Sequence, residues 1–289
     1  MTFRRRLRFI APRVAAALAA TAVCALTGCG LIGTSTDSTT GPATATAAGS
    51  DTGSASPTTV ATLHVVVLGD SVATAANCDC DDFGQRATTQ LATLLHRPTQ
   101  LDNLAVGGAT TTDVLQLLRR RDAQASLARA DLVVIQIGAN DFDEADAYTT
   151  ACLHPKTSGC ASQTYATVSA NLASIVETVQ SISQSNRPVV GLMDYWNIFR
   201  DGTVAQREGA TYAAASRAMS QLFSDDVRTV AHTTGVTFVD ATTPLVGDGS
   251  KDPTGLLTDD GDHPDDAGQQ ALADALVDAV GAELLARRS

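Results

Sequence analysis

Short runs of β-branched and other apolar residues alternate with longer amphipathic segments from residue 63 to the end of the chain. Short apolar runs are typical of strands buried on both faces, and an apolar repeat of about 3.6 residues is typical of helices. The predicted strands are residues 63–68, 99–104, 131–137, 188–193 and 236–239. The predicted helices are residues 82–95, 113–121, 162–185, 204–233 and 265–288.

The alternation of strands with helices indicates a parallel sheet covered on both faces. We therefore expect an α/β fold, a three-layer α/β/α sandwich around a mostly parallel sheet of about five strands. In such sheets, ligands bind beyond the carboxyl ends of the strands. Polar residues that follow the strands are thus the first candidates for a functional site.

The N-terminal pattern is different and predicts a targeting segment. Residues 4–13 contain five Arg, and residues 14–26 form an apolar stretch that suits a signal sequence better than a membrane span. A short anchor helix is the alternative. Residues 30–61 are Thr, Ser, Gly, Ala and Pro with few large apolar side chains, which predicts a disordered tether. O-glycosylation of this tether is compatible with that prediction.

The sequence Leu-Thr-Gly-Cys at residues 26–29 resembles a bacterial lipobox. The resemblance implies cleavage before Cys29 and attachment of lipid to its thiol. Ordinary signal cleavage, with Cys29 incidental, is the alternative. We therefore expect a signal peptide over residues 1–28, a lipidated Cys29 and tether over 29–61, and one folded domain over 62–289. The expected location is the outer face of a bacterial cell membrane, with the lipid anchor as the membrane contact.

Charge excludes one class of partner. The formal net charge is −11, and without residues 1–28 the chain has 15 basic against 31 acidic residues. Such a surface repels phosphate backbones, so we expect no nucleic-acid partner. We expect a monomer.

Four cysteines remain after Cys24 is removed with the signal and Cys29 is lipidated. An even number in an exported protein favours disulfides. The favoured pairing joins Cys152 with Cys160, which leaves Cys78 and Cys80 as a tight pair; cross-linking of the two segments is the alternative. A zinc site is a further alternative, because His154 lies between Cys152 and Cys160.

Four polar segments carry candidate chemistry. GDS at residues 69–71, NLAVGGAT at 103–110 and GAND at 138–141 each follow a predicted strand, and DGDH at 260–263 precedes the last predicted helix. A Ser at such a turn can be a nucleophile, and Gly and Asn there can donate hydrogen bonds to a developing oxyanion. An Asp and a His three residues apart can pair as acid and base. Each segment alone is also typical of a turn or a helix cap.

Together, in this order, the four segments resemble the SGNH/GDSL hydrolases over residues 63–289, a family with a flavodoxin-like fold. The resemblance implies that Ser71 is the nucleophile, His263 the base and Asp260 the acid of a catalytic triad. Asp259 or Asp262 is the alternative acid. It implies an oxyanion hole from the backbone N–H groups of Ser71 and Gly108 and the side chain of Asn140.

Two local points of the match stay open. Gly107 is the alternative register for the oxyanion glycine. After Ser71 the chain continues into Cys-Asp-Cys at residues 78–80, where many relatives have a glycine. This departure leaves open the shape of the pocket beside the nucleophile.

The implied function is a serine esterase that cleaves carboxylic esters of lipids, glycans or small molecules through an acyl-serine, without metal or cofactor. A non-catalytic glycan- or lipid-binding envelope lipoprotein on the same scaffold is the main alternative. An α/β-hydrolase lipase is disfavoured because the chain has no Gly-x-Ser-x-Gly elbow. A dinucleotide-binding protein is disfavoured because no Gly-x-Gly-x-x-Gly follows the first strand.

Overall fold

The computed structural model describes residues 60–287, so the predicted signal peptide, Cys29 and most of the tether lie outside the described residues. Five strands form one sheet in the order β2-β1-β3-β4-β5, and every neighbouring pair is parallel. The strands are β1 (Leu63–Gly69), β2 (Thr99–Asn103), β3 (Leu132–Gln136), β4 (Val189–Met193) and β5 (Thr237–Val239).

Helices connect successive strands and cover the sheet. They are α1 (Phe83–Leu95), α2 (Thr111–Leu117), α3 (Arg121–Ala128), α4 (Pro155–Ser158), α5 (Ser162–Ile182), α6 (Gly202–Glu208), α7 (Ala210–Thr234), α8 (Thr242–Val246) and α9 (Asp266–Ala286). Helix α1 packs against α9, and α5 packs against α7. The expected α/β fold with a parallel five-stranded sheet is therefore confirmed.

The core is mainly aliphatic. All residues of β3 and β4 are buried, and so are all residues of β1 except His64. Strands buried on both faces need apolar side chains at successive positions, which explains the runs in the sequence. Among residues 60–287, no helix is both long and apolar enough to cross a bilayer.

Two helix predictions were wrong in their bounds. The helix predicted over 113–121 ends at Leu117, and a separate helix, α3, begins at Arg121. The helix predicted over 204–233 is interrupted at Gly209, whose φ of 109° does not continue a helix. The residues at the breaks are mostly polar, Arg-Arg-Arg-Asp at 119–122 and Gln-Arg-Glu-Gly at 206–209. Because Arg, Gln and Glu are also good helix formers, the pattern alone did not reveal the breaks.

Both disulfides of the favoured pairing are present, Cys78–Cys80 and Cys152–Cys160. The first lies between β1 and α1, and the second encloses α4. Because their sulfurs are joined, Cys152 and Cys160 are not thiolate ligands. The structure therefore favours the disulfide over the zinc site at this position.

The strand order places a crevice beside β1. From β1 the chain runs to β2 on one side and then returns to β3 on the other. Connections that leave in opposite directions open a crevice at the carboxyl ends of β1 and β3. Residues 69–71 and 138–141 follow these two strands, so both segments lie at this crevice.

Candidate active site

Ser71 begins a single turn of 3-10 helix, Val72–Thr74, directly after β1. Its carbonyl oxygen accepts a hydrogen bond from the N–H of Ala76 at 3.0 Å, which closes the turn. Its side chain is half-buried at the mouth of a cleft. A strand that ends in a tight turn thus presents this hydroxyl at the edge of the sheet.

A narrow loop before α9 carries the predicted acid and base. Leu257 and Pro264 form an antiparallel bridge, and the N–H of Thr258 donates to the carbonyl of His263 at 2.8 Å. At the end of the loop, Asp265 caps α9 by accepting the N–H of Gly268 at 2.9 Å. The loop is therefore held at both its base and its junction with the helix.

Within this loop, Asp260 Oδ2 lies 2.8 Å from His263 Nδ1. A carboxylate only accepts hydrogen bonds, so this contact places the imidazole proton on Nδ1 and leaves the Nε2 lone pair free. Asp262 Oδ2 is 3.9 Å from the same nitrogen. Of the three acidic residues considered, Asp260 thus has the contact that a triad acid needs.

The carboxylate of Asp260 accepts several hydrogen bonds. Burial alone would raise its pKa, but donors from the Asp262 backbone, His263, Asn77 and Thr258 lower the pKa well below its usual range. Asp260 is therefore ionised throughout the range in which a His base works. An ionised partner stabilises the imidazolium that forms when His263 takes a proton.

In the described part of the chain, no hydrogen bond joins Ser71 Oγ to His263. The structure brings Asp260 and His263 together but leaves the nucleophile–base contact open. Catalytic hydrogen bonds are often long without substrate and shorten when it binds.

Of the predicted oxyanion donors, Asn140 lines the same cleft as Ser71. Among residues 60–287, no acceptor pairs with the backbone N–H of Ser71 or of Gly108, so both groups are available. Gly108 has a φ of 76°, which favours glycine. A Cβ on Gly107 would lie 4.0 Å from the Cβ of Ser71, whereas a Cβ on Gly108 would meet nothing within 4 Å, so the alternative glycine is the one with a direct contact to the nucleophile.

Asn140 follows β3, and its side chain contacts residues of the segments 69–71 and 103–110. Its Nδ2 donates to the carbonyl of Ala109 at 3.0 Å and makes a longer contact of 3.4 Å with Asp70 Oδ2. The adjacent Asp141 accepts the N–H of Thr111 at 2.9 Å and its hydroxyl at 2.7 Å. Asp141 therefore ties this loop to the start of α2.

Sequence reasoning overlooked a buried pair behind the nucleophile. The Tyr195 hydroxyl, at the end of β4, donates to Asp70 Oδ2 at 2.5 Å, and the N–H of Val72 donates to Oδ1 at 3.1 Å. Burial raises the pKa of Asp70 to about 6, although the Tyr195 hydrogen bond opposes the rise. The position of Asp70 beside Ser71 is the signal that could have directed attention to it.

The cleft next to Ser71 has a volume of about 270 Å³. It combines apolar and charged walls, formed by Asp70, Ser71, Ala139, Asn140, Phe142, Glu144, Ile198, Phe199, Arg200 and Asp262. Trp196, the only Trp of the sequence, is buried and lines a separate cavity of about 220 Å³.

Arg200 is the cation of the cleft and was not predicted. Its Nε lies 2.7 Å from Glu144 Oε1, and its Nη1 lies 3.1 Å from Glu208 Oε1. The Tyr212 hydroxyl also donates to Glu144 Oε1 at 2.7 Å. The hydrogen bond with Glu144 raises the pKa of Arg200 above its already high usual value. This network fixes the guanidinium at the cleft wall.

A family model for GDSL-like lipases and acylhydrolases matches residues 67–271, which include Ser71, Asn140, Asp260 and His263. The chain belongs to this family. It is therefore a serine esterase, an enzyme that hydrolyses carboxylic esters, and the non-catalytic alternative is not supported. No curated protein matches the sequence.

Solved structures share the fold at low sequence identity. The lipase Lip_vut3 from a goat rumen metagenome is 18% identical with a TM-score of 0.58, over 74% of this chain and 95% of its own. Axe2, an acetylxylan esterase from Geobacillus stearothermophilus, is 19% identical with a TM-score of 0.52, over 75% of this chain and 93% of its own. At these identities the likeness describes the fold and not the substrate.

Proposed function

We propose that this GDSL-like esterase uses Ser71 as nucleophile and cleaves short-chain acyl esters of polar alcohols, such as acetylated glycans, at the outer face of a cell membrane. The observation that carries the catalytic part is the Asp260–His263 pair, 2.8 Å apart on one loop, in a chain whose Ser71 lies at a cleft beside free backbone N–H groups.

In the first step, His263 Nε2 takes the proton of Ser71 Oγ as the oxygen attacks the ester carbonyl. The N–H groups of Ser71 and Gly108 and the side-chain amide of Asn140 donate hydrogen bonds to the negative charge that forms on the carbonyl oxygen. His263 then passes the proton to the leaving alcohol. In the second step, His263 activates water, which cleaves the acyl-serine and restores the hydroxyl.

The walls of the cleft support a small, polar substrate. The cleft of about 270 Å³ has room for a short acyl chain, and Phe142 and Phe199 supply an apolar surface for it. Glu144, Arg200 and Asp262 can hydrogen-bond the hydroxyl groups of an alcohol such as a sugar. Acetyl esters of oligosaccharides have both properties.

The test compares wild-type protein with Ser71→Ala and His263→Ala on p-nitrophenyl acetate, butyrate, octanoate and laurate, and on an acetylated oligosaccharide. We expect both variants to lose at least about 10³-fold in kcat. His96→Ala, a His at the exposed end of α1, is the control and keeps wild-type activity. Full activity of Ser71→Ala contradicts the mechanism, and faster cleavage of laurate than of acetate contradicts the short-chain assignment.

The lipobox-like sequence and the tether support the anchor. We expect full-length protein to sediment with membranes in a bacterium that lipidates such sequences, and Cys29→Ala to move to the soluble fraction. Cys24→Ala, five residues earlier in the predicted signal, is the matched control and stays with the membrane. Membrane retention of Cys29→Ala contradicts the anchor and leaves the catalytic proposal intact.

A further inference from the structure

Asn77 contacts the acid of the proposed triad, although no sequence motif included it. It lies on the loop between the Ser71 turn and α1, and its Nδ2 donates to Asp260 Oδ2 at 2.6 Å. The same nitrogen is 3.4 Å from His263 Nδ1. An amide from the nucleophile's own loop therefore reaches the acid–base pair, which lies more than 180 residues further along the chain.

The two oxygens of Asp260 are held from different directions. Oδ1 accepts hydrogen bonds from Thr258 Oγ1 at 2.8 Å, from the N–H of Asp262 at 2.8 Å and from the N–H of His263 at 3.0 Å. These three donors belong to the loop that carries Asp260 itself. Oδ2 faces His263 Nδ1 and Asn77. The hydrogen bond from the Asn77 amide is thus the one that fixes Asp260 relative to the loop that follows Ser71.

We propose that Asn77 is a positioning residue, which aligns the Asp260–His263 pair with Ser71 through this hydrogen bond. The inference rests on the proposed roles of these three residues. The loop that follows Ser71 and the loop before α9 are close in space but lie near opposite ends of the domain's sequence. A base held only by its own loop can be misplaced relative to the nucleophile, and a displacement of about 1 Å can cost about 100-fold in rate.

The local chain is built to present this side chain. Ser71 accepts the N–H of Ala76 at 3.0 Å, and Ala75 accepts the N–H of Cys78 at 3.1 Å, so Asn77 lies between two closed turns. Asn77 has a φ of 59°, a left-handed conformation that Asn tolerates better than most residues. The Cys78–Cys80 disulfide follows at once and restricts the loop on its far side. We infer that this disulfide helps to hold Asn77 in place.

A simpler explanation is that Asn occurs here because the backbone is left-handed. Asn77→Gly separates the two explanations, because Gly adopts the same φ without strain and removes the amide. If Asn77 serves only the backbone, the variant keeps wild-type activity. If the amide positions Asp260, we expect kcat to fall about 10-fold while KM stays within twofold, because the loss of a hydrogen bond to a charged group has about this effect.

Asn77→Asp is the second variant, since it keeps the shape of the side chain but replaces the donor with a negative charge. Two carboxylates within hydrogen-bond distance repel each other. We expect kcat at pH 8 to fall further than in Asn77→Gly. The matched control is His96→Gly, which makes the same change at another exposed, left-handed position, φ 46°, and is expected to keep wild-type kcat.

The disulfide is tested by the double variant Cys78→Ser/Cys80→Ser. We expect kcat to fall several-fold with KM unchanged, as for Asn77→Gly but less strongly. Cys152→Ser/Cys160→Ser is the matched control, because it removes the other disulfide, which has no contact with Asp260 or His263 among the described residues. Wild-type kcat in the first double variant overturns the role of the disulfide.

Ser71→Ala is measured in the same series. Wild-type kcat in Asn77→Gly, with Ser71→Ala inactive, overturns the positioning role and leaves the proposed mechanism standing. Activity in Ser71→Ala overturns the mechanism itself. A melting temperature is recorded for each variant. A loss of kcat that persists well below the melting temperature, with KM unchanged, supports positioning over loss of folded protein.

Discussion

At the scale of single residues, buried carboxyl groups are the unusual feature of this site. Asp70 is 1% exposed and directly precedes the nucleophile, and it is held by a tyrosine hydroxyl and a backbone N–H. Burying an ionised carboxylate is costly unless hydrogen bonds compensate for its lost hydration. The Tyr195 hydroxyl supplies part of that compensation and fixes the carboxylate against which Asn140 rests.

We predict that Tyr195→Phe lowers the free energy of unfolding by about 1–3 kcal/mol at pH 8, because a buried, ionised acceptor loses its donor. The loss is expected to be smaller at pH 5, where Asp70 is mostly protonated. Urea unfolding at the two pH values measures both. Tyr165→Phe is the control, since its hydroxyl donates at 2.8 Å to the neutral backbone carbonyl of Met219. An equal loss in Tyr195→Phe at both pH values would contradict an ionised Asp70.

At the scale of elements, the site depends on how closely α9 approaches the loop before it. Gly268 lies in the first turn of α9, and a Cβ there would clash with the carbonyl oxygen of Leu256 and lie 2.8 Å from the Cβ of Pro264. Leu256 and Pro264 belong to the loop segment that holds Asp260 and His263. The absence of a side chain at Gly268 therefore allows the helix and the loop to pack.

We predict that Gly268→Ala lowers kcat by about 10-fold or more, because the clash with backbone displaces the loop that carries His263. It is also expected to lower the free energy of unfolding by about 1–3 kcal/mol. Steady-state kinetics and urea unfolding measure the two effects. Gly255→Ala is the matched control, because its Cβ would meet nothing within 4 Å. Equal activity of the two variants would show that the loop accommodates the added methyl group.

At the scale of the whole molecule, the net effect of buried acids on stability depends on pH. Asp194 is buried at the end of β4, where it accepts hydrogen bonds from Ser224, Ala241 and Thr242. Burial nevertheless raises its pKa to about 6, as it does for Asp70. Both groups therefore bind protons more tightly in the folded than in the unfolded chain.

We predict that the free energy of unfolding falls as the pH rises from about 4 to about 6 and then levels off. In this window the folded protein keeps protons that an unfolded Asp, with a pKa of about 3.9, has already lost, so raising the pH favours unfolding. Each group contributes at most about 3 kcal/mol. Urea unfolding between pH 4 and 8 measures the trend, and Asp194→Asn is expected to flatten it. Stability that rises across the window would contradict the raised pKa values.

The start of the folded domain, near residue 60, can be tested by truncation. Arg97 donates to the carbonyl oxygens of Ala61 at 2.8 Å and Thr62 at 3.1 Å, so these residues belong to the folded unit. Protein that begins at residue 60 is expected to have the same kcat/KM and melting temperature as protein that begins at residue 29. Protein that begins at residue 63 loses both acceptors and is expected to melt a few degrees lower. A loss of activity on removing residues 29–59 would contradict the tether.

The sequence by itself determined the sheet, because strands buried on both faces must be almost continuously apolar, as in LVVI of β3 and VVGLM of β4. It also indicated Ser71 and Asn140, which follow strands, and Asp260 and His263, which precede the last helix, because the motifs together resemble a known family. It did not reveal the break between α2 and α3, because the Arg residues at 119–121 are also good helix formers. The disulfide pairing was favoured but not unique.

Only the tertiary structure decided which residues support that site. Asn77 and Asp260, or Asp70 and Tyr195, are separated by 183 and 125 positions, and no local pattern reports a contact across such distances. Arg200 and Glu144 likewise come together only when the loop after β4 and the loop after β3 pack against each other. The apolar periodicity of a helix or strand reflects which of its faces is buried, so it can be recognised locally. The residue pairs that support the site form where loops converge at the carboxyl edge of the sheet, and that convergence is a property of the complete fold.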